Sequence, residues 1–224
     1  MTRTVVVPSA RIARWLETYG ARHGQGPVSV DGSGVVVAGT DGATARLSLL
    51  WPGVELGADP LADLMAAAAV RRRLGLVAVR ADGHAVGIWE GEQVVAAKHR
   101  GHYVQSRTAA GGWSQQRFAR RRENQAKHAY ESAALDVATI IEPEVGTLDG
   151  VLAAGNPAAI TAVLADSRCR RTAALAAQHP LARLELRATS REALADLVQR
   201  FLSVVIAIDE PDGATTDGPV RSRR

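Results

Sequence analysis

A single cysteine, Cys169, stands among 224 residues, which excludes an internal disulfide and any zinc site built from several thiolates. Lysine is nearly absent too. Lys98 and Lys127 are the only two, and arginine supplies the rest of the 27 cationic side chains. Aromatic residues make up 4% of the chain, so the placement of each one carries weight. No stretch reaches the 18 or more apolar residues of a membrane span, because Arg or Gly interrupts the longest candidates. Near the start, the run Val5–Val7 is too short for the core of a secretory leader. The expectation is a cytoplasmic protein with no membrane contact. Charge of one sign is lacking as well: 27 Lys+Arg against 23 Asp+Glu leave a formal +4. So small an excess does not argue for nucleic acid, and the address of the arginines matters more than their number. With 46% hydrophobic and 22% charged residues, the composition is that of a globular chain with a core.

What is present has a clear order. Ser9 can cap a helix over 9–19, where Ile12, Trp15, Leu16 and Tyr19 recur at helical spacing. Three β-branched runs follow at 28–30, 35–38 and 43–50, separated by Asp31-Gly32 and Asp41-Gly42. Asp-Gly is a hairpin signal because both central positions then take positive φ, so an antiparallel meander is expected. Asp59-Pro60 opens a second helix that continues to Arg71-Arg72-Arg73, three cations suited to a helix C-terminus. Strands are expected at 76–81, 84–89 and 93–98. From His99 to Gly112 no period survives, which marks a long loop of the kind that often carries function. A long helix then runs from just after Gly112 to about Ile140, with Phe118, Ala126, Ala129, Tyr130, Ala133 and Val137 as its apolar stripe. Further segments read as a strand at 150–154, helices at 157–164 and 170–177, a strand at 181–186, a helix from Ser190 to Arg200 and a last hydrophobic run at 204–208. Alternating elements after a meander give an α+β (mixed α/β) fold class. Residues 1–208 are expected as a single domain, with 1–58 as helix and meander, 59–208 as the α/β part holding the loop 99–116, and 209–224 as a disordered tail.

Several familiar chemistries fail on inspection. His99 and His102 lie three apart with no third ligand nearby, which reads as loop rather than metal site. Gly32 and Gly34 are not followed by the helix of a dinucleotide fingerprint. Neither a nucleophile elbow nor a phosphate-cradling Gly-Lys-Ser/Thr occurs. Cys169 sits between Arg168 and Arg170 but has no partner base, so a structural cysteine is expected. A two-metal nuclease would need converging carboxylates, whereas Asp82, Glu90 and Glu92 sit at turns. No metal and no cofactor are implied.

The segment that does not read as scaffold is Gly111 to Gln125. Two glycines allow the backbone a close approach to another surface. Trp113 stands in a polar setting, followed by the neutral amides Gln115 and Gln116, each with donors and an acceptor. Arg117, Arg120, Arg121 and Arg122 fall on the first turns of the helix. Positive charge there costs about 0.3–1 kcal/mol per residue, so an anionic partner that offsets it is expected, and RNA phosphate fits. Lys127 extends the same cationic series.

The pattern Gly-Gly-x-Ser-x-x-Arg-Phe-Ala-Arg-x-Arg at 111–122 resembles the catalytic loop and following helix of eukaryotic and archaeal class-one peptide-chain release factors. There the loop reads Gly-Gly-Gln. Here Trp113 takes the place of that glutamine, and Gln115 stands two residues on. This Gly-x-x-Gln variant is similar to the release factors of ribosome quality control, the Vms-one-like (VLRF) family, and most of all to its stand-alone bacterial members. The resemblance implies an RNase-H-like middle domain with a mixed sheet and a long helix after the catalytic loop. It implies hydrolysis of peptidyl-tRNA at the rRNA peptidyl-transferase centre of a stalled large ribosomal subunit. Gln115 would position water, with Gln116 as the rival, and Gly111 and Gly112 would act as hinges. Trp113, Arg117, Arg120, Arg121, Arg122 and Lys127 would meet RNA. Trp113 either stacks on a ribosomal base or folds back on its own helix. No codon-reading domain is evident, so codon-independent rescue by a monomer is expected. The competing class is a non-catalytic ribosome-binding protein using the same loop and helix. Only Gln115 favours hydrolysis over that reading.

Overall fold

The computed structural model describes residues 2–80, 82–101, 114–178, 185–186 and 188–211, and between 114 and 124 it describes the backbone alone. Where the sequence suggests one domain over 1–208, the fold divides the chain into two compact units. They are Met1–Ala69 with Ser203–Arg224, and Val70–Leu202. The physical reason lies in the last strand, which returns to the sheet formed by the N-terminal residues.

That first sheet is antiparallel throughout. It holds β1 (Thr2–Val7), β2 (Val28–Asp31), β3 (Gly34–Ala38), β4 (Thr44–Leu49) and β9 (Val204–Asp209), in the order β1-β9-β4-β3-β2. The meander β2–β4 is as expected. Its first turn differs in detail: Asp31 pairs with Gly34, and Gly32, with φ +59°, is the turn residue with positive φ, since no non-glycine has one among the described residues. β1 was not expected, because Thr2 to Thr4 lack the apolar alternation of a half-buried strand. It forms by pairing along its whole length with β9. The first helix also differs. Ser9–Arg11 is a 3-10 turn with no side-chain cap, and α1 follows as Ile12–His23. The second helix, α2 (Pro60–Ala69), is capped as expected by Asp59, whose Oδ1 accepts from the Ala62 N–H at 3.0 Å. Ile12, Tyr19, Val35, Leu47, Leu64, Val204 and Ile206 are buried together in this unit's core. Of the expected tail, Asp209 belongs to β9 and Glu210 lies 3.7 Å from both Arg3 and Arg22. The rest, from 212 on, lies outside the described residues.

The second unit is built on a mixed sheet of β5 (Arg73–Arg80), β6 (Gly83–Glu90), β7 (Gln93–Gly101) and β8 (Gly150–Gly155), ordered β7-β6-β5-β8. The first three strands are an antiparallel meander, and β8 runs parallel to β5. Three antiparallel strands with a fourth parallel to the first make the mixed sheet expected of the α+β fold class. β5 and β6 are buried over nearly every residue, which explains why their sequences run apolar without alternation. The cations Arg71-Arg72-Arg73 do not end α2. Arg73 instead opens β5, its N–H donating to Asp149 at 2.6 Å and its guanidinium to Glu144 at 3.1 Å. The crossover to β8 contains α3 (Ser114–Ile140), and α4 (Pro157–Leu164), α5 (Arg170–Gln178) and α6 (Arg191–Leu202) complete the unit. Asn156 caps α4 and Ser190 caps α6, both as expected. Val77, Val86, Ile88, Val137, Ile141, Val151 and Ile160 form the core between sheet and helices. The strand expected at 181–186 falls mostly outside the described residues.

The end of β8 has a strict requirement. Gly155 has φ +103°, and a Cβ there would collide with the Val79 carbonyl oxygen of the neighbouring strand. A Gly155→Ala substitution combines left-handed strain with backbone overlap and is expected to lower stability by about 2 kcal/mol or more in urea unfolding.

Candidate functional site

α3 begins directly after Trp113 of the motif and carries the buried acid that fixes it to the sheet. Its C-terminal half lays Tyr130, Ala133, Ala134 and Val137 into the core. Asp136 sits in that same apolar stretch with its side chain 1% exposed. Three cationic or donor groups from the sheet converge on it. His84 Nε2 on β6 donates to Oδ2 at 2.9 Å, Arg100 Nε on β7 donates to the same oxygen at 2.9 Å, and Lys98 Nζ lies 2.8 Å from Oδ1. His84 is itself fully buried. Lys98 and Arg100 are two apart on β7 and so share the face toward α3, opposite Val86 and His84. Burial raises the cost of an ionised Asp136, but Lys98, Arg100 and His84 together outweigh it and hold the carboxyl at about 2. The two chain segments flanking residues 102–113 are therefore tied: β7, which leads in, and α3, which leads out.

The structure redraws the boundaries of the expected loop 99–116. His99 and Arg100 belong to β7, and Ser114, Gln115 and Gln116 belong to the first turn of α3. The ladder of β7 with β6 continues to Gly101, a pairing that an aperiodic polar sequence does not announce. Gln115, Gln116, Arg117, Arg120, Arg121 and Arg122 are thus all helical in backbone, with side chains outside the described residues. Gly111, Gly112 and Trp113 lie outside them altogether, as does His102. Lys127 is exposed on α3 and lines a groove of about 410 Å³ with Tyr130, Glu131, Ala162 and Asp166. Tyr130 anchors the helix against the core as expected, while the Phe118 side chain is outside the described residues.

Cys169, Asp82 and Glu90 behave as scaffold. Cys169 is fully buried, donates to the Ala134 carbonyl at 3.4 Å, and is pushed up to about 11, chiefly by burial. Asp82 pairs with Arg80, and Glu90 with Arg71 and Arg73. Among the described residues, no three His, Cys, Asp or Glu side chains gather as a metal-binding group. No described helix is long and apolar enough to cross a membrane. Sequence reasoning missed the cluster on Asp136. The signal was there: a lone acid in the apolar stripe of α3, and a lone histidine in the apolar run of β6.

The family described as Actinobacteria/chloroflexi VLRF1 release factor matches residues 72–207, more than half of the chain. The chain belongs to that family. The matched segment takes in the whole mixed sheet, α3 to α6 and most of β9, and residues 111–125 lie inside it. Among solved structures, the crystal structure of archaeal translation termination factor aRF1 is similar at 18% identity and a TM-score of 0.40. That match covers 58% of this chain and 36% of the archaeal chain, so it spans little more than a third of the latter. No curated protein matches.

The Asp136 cluster generates a test with a defined sign. A carboxyl held at about 2 and starting from 3.8 contributes stability that is complete above about pH 4 and is lost as pH falls through 2. Asp136→Ala should cost about 3 kcal/mol at pH 7, the lower end for breaking a buried pair, because Lys98 and Arg100 are half-exposed and can rehydrate. Urea unfolding of both proteins between pH 7 and pH 2 should show the difference shrinking toward the acid end.

Proposed function

We propose that this release factor hydrolyses the ester linking a nascent peptide to tRNA on stalled large ribosomal subunits. The observation that carries the reading is where α3 starts. The helix opens at Ser114, so in the sequence Gly111 and Gly112 stand three and two residues before it, with Trp113 between, and Gln115 and Gln116 fall on its first turn. The first N–H groups of a helix have no partner within it and carry partial positive charge. An ester carbonyl gains negative charge as water attacks, and donors already fixed at that point stabilise the transition state more than the ground state. The glutamine amide accepts from and donates to water without itself titrating, so it can orient the attacking molecule at any physiological pH. The two glycines permit the close backbone approach that a narrow RNA environment demands.

The remaining residues serve binding. Arg117, Arg120, Arg121 and Arg122 on the next turns, with Lys127 farther along, would neutralise rRNA phosphates, and Trp113 would stack on a base for about 1–3 kcal/mol. Their cationic charge, unfavourable near a helix N-terminus, is then offset by the bound anion. No metal or cofactor enters this scheme.

Successive helical positions are about 100° apart around the axis, so Gln115 and Gln116 would not both serve one water. On purified large subunits carrying peptidyl-tRNA, Gln115→Ala should slow release of free tRNA by about 10²-fold or more, while still co-sedimenting with the subunit. Gln116→Ala should keep most of the activity. Full hydrolysis by the Gln115 variant would sink the assignment, and binding with no hydrolysis by the unaltered protein would favour a non-catalytic ribosome binder. The double variant Arg120→Glu, Arg121→Glu should bind more weakly and reduce the salt slope of binding by about 0.7–0.9 for each phosphate it no longer neutralises.

A further inference from the structure

The charges of the first unit are sorted in a way its fold does not require. Its described residues hold five arginines against eight Asp and Glu, so the unit as a whole is acidic. Arg46 is engaged with Asp31 on β2. The other four arginines, Arg3, Arg11, Arg14 and Arg22, all fall on β1 or on α1 and the turn leading into it. An acidic body that gathers its cations in one place directs a local positive field at a partner of opposite sign.

Helical spacing aligns them. Arg11, Arg14, Thr18 and Arg22 recur at intervals of three and four, share one face of α1, and are all exposed. The opposite face is fully used: Ile12, Trp15, Leu16 and Tyr19 pack into the core. Arg11 and Arg14 have no acidic partner among the described residues. Glu17, the one acid of α1, stands on the flank, about 120° or more around the axis from Arg11 and Arg22 and about 60° from Arg14. Arg3 and Arg22 share a single carboxylate, Glu210, each at 3.7 Å, and stay exposed at 57% and 51%. The stripe therefore keeps a net positive charge.

We infer that this face of α1 is a second nucleic-acid contact, one that holds the phosphate backbone of RNA without reading its sequence. From Arg11 to Arg22 the face runs about 16 Å at 1.5 Å per residue, along which one strand presents several phosphates. The side chain between Arg14 and Arg22 is the small Thr18, which lets a strand lie close. RNA is the polyanion that a release factor meets. A bilayer would need large apolar residues on the same side of the helix, and those of α1 are committed to the core. An acidic peptide needs apolar pockets or a pairing strand to fix it beside the charges, and this face of the helix offers neither. The surface lies outside the family-matched segment 72–207 and depends on neither Gln115 nor hydrolysis.

The test uses the full chain labelled with nitrogen-15 and three probes: dodecauridylate, hexaglutamate, and vesicles of phosphatidylcholine with phosphatidylglycerol. Dodecauridylate should shift the amides of 11–23 saturably, and should still do so when Arg120→Glu and Arg121→Glu weaken the motif. The triple variant Arg11→Gln, Arg14→Gln, Arg22→Gln alters exposed residues only. It should bind this RNA roughly tenfold or more weakly at about 0.1 M salt, and lower the salt slope by about 0.7 for each phosphate it no longer neutralises. Arg11→Lys, Arg14→Lys and Arg22→Lys together should restore the slope. Arg170→Gln, at an exposed arginine of α5, should leave it unchanged. Binding is read without hydrolysis, so a protein inactive on peptidyl-tRNA would still give these results. An unchanged slope in the glutamine variant, or no saturable shift at 11–23, overturns the proposal. So does tighter binding of hexaglutamate or of the vesicles at the same amides, which would assign the face to a protein or to a membrane.

Discussion

The second unit turns on one ionised acid buried between a helix and a sheet. Asp136 sits in the apolar stripe of α3, where a carboxylate would be costly alone. The arrangement is stable because every approach to it from the sheet is a donor: His84 from β6, Lys98 and Arg100 from β7. A buried ion cluster seldom adds net stability over well-packed apolar residues. What it adds here is geometry. Apolar packing of Tyr130, Ala133 and Val137 would tolerate a helix sliding or turning slightly against the sheet, whereas three donors on one carboxylate admit a single register.

The same helix serves two ends of the architecture. Parallel strands need a crossover, and α3 lies in the one between the β5–β7 meander and β8. Its C-terminal half is therefore obliged to be core. Its N-terminal half opens beside the glycines and bears the arginines of the motif. One continuous element is thus scaffold at one end and, on the proposed reading, interface at the other. A sequence with helical periodicity throughout and a changing surface composition along its length expresses that division.

Much of this was legible from residue types. The extent of α3, the meander β2–β4, the caps Asp59, Asn156 and Ser190 and the burial of Cys169 all follow from local rules. The departures share a cause: long-range partners. β1 exists because β9 returns to pair with it, and neither segment signals the other. Arg73 leaves α2 for β5 because Asp149, Glu90 and Glu144, all distant or on the next strand, receive it. His99 and Arg100 join β7 because the ladder to β6 continues past the point where alternation stops. The Asp136 cluster was the costliest omission, since its parts lie up to 52 residues apart. A polar residue stranded on an apolar face is the trace such clusters leave. The motif stands out in the sequence because its pattern is local, compressed into the fifteen residues from Gly111 to Gln125.

The length of α3 sets a mechanical demand on its anchor. Ser114 stands roughly 33 Å along the axis from Asp136 at 1.5 Å per residue. The helix is then a lever with its fulcrum at the carboxylate. A displacement of only about 1 Å at reacting atoms can cost on the order of a hundredfold in rate. Over that arm, about 1 Å at the tip corresponds to a swing of roughly 2° at the base. Apolar contacts are non-directional, whereas short charged hydrogen bonds resist such a swing. Under the proposed hydrolysis, angular stiffness at Asp136 would govern aim at the far end of α3.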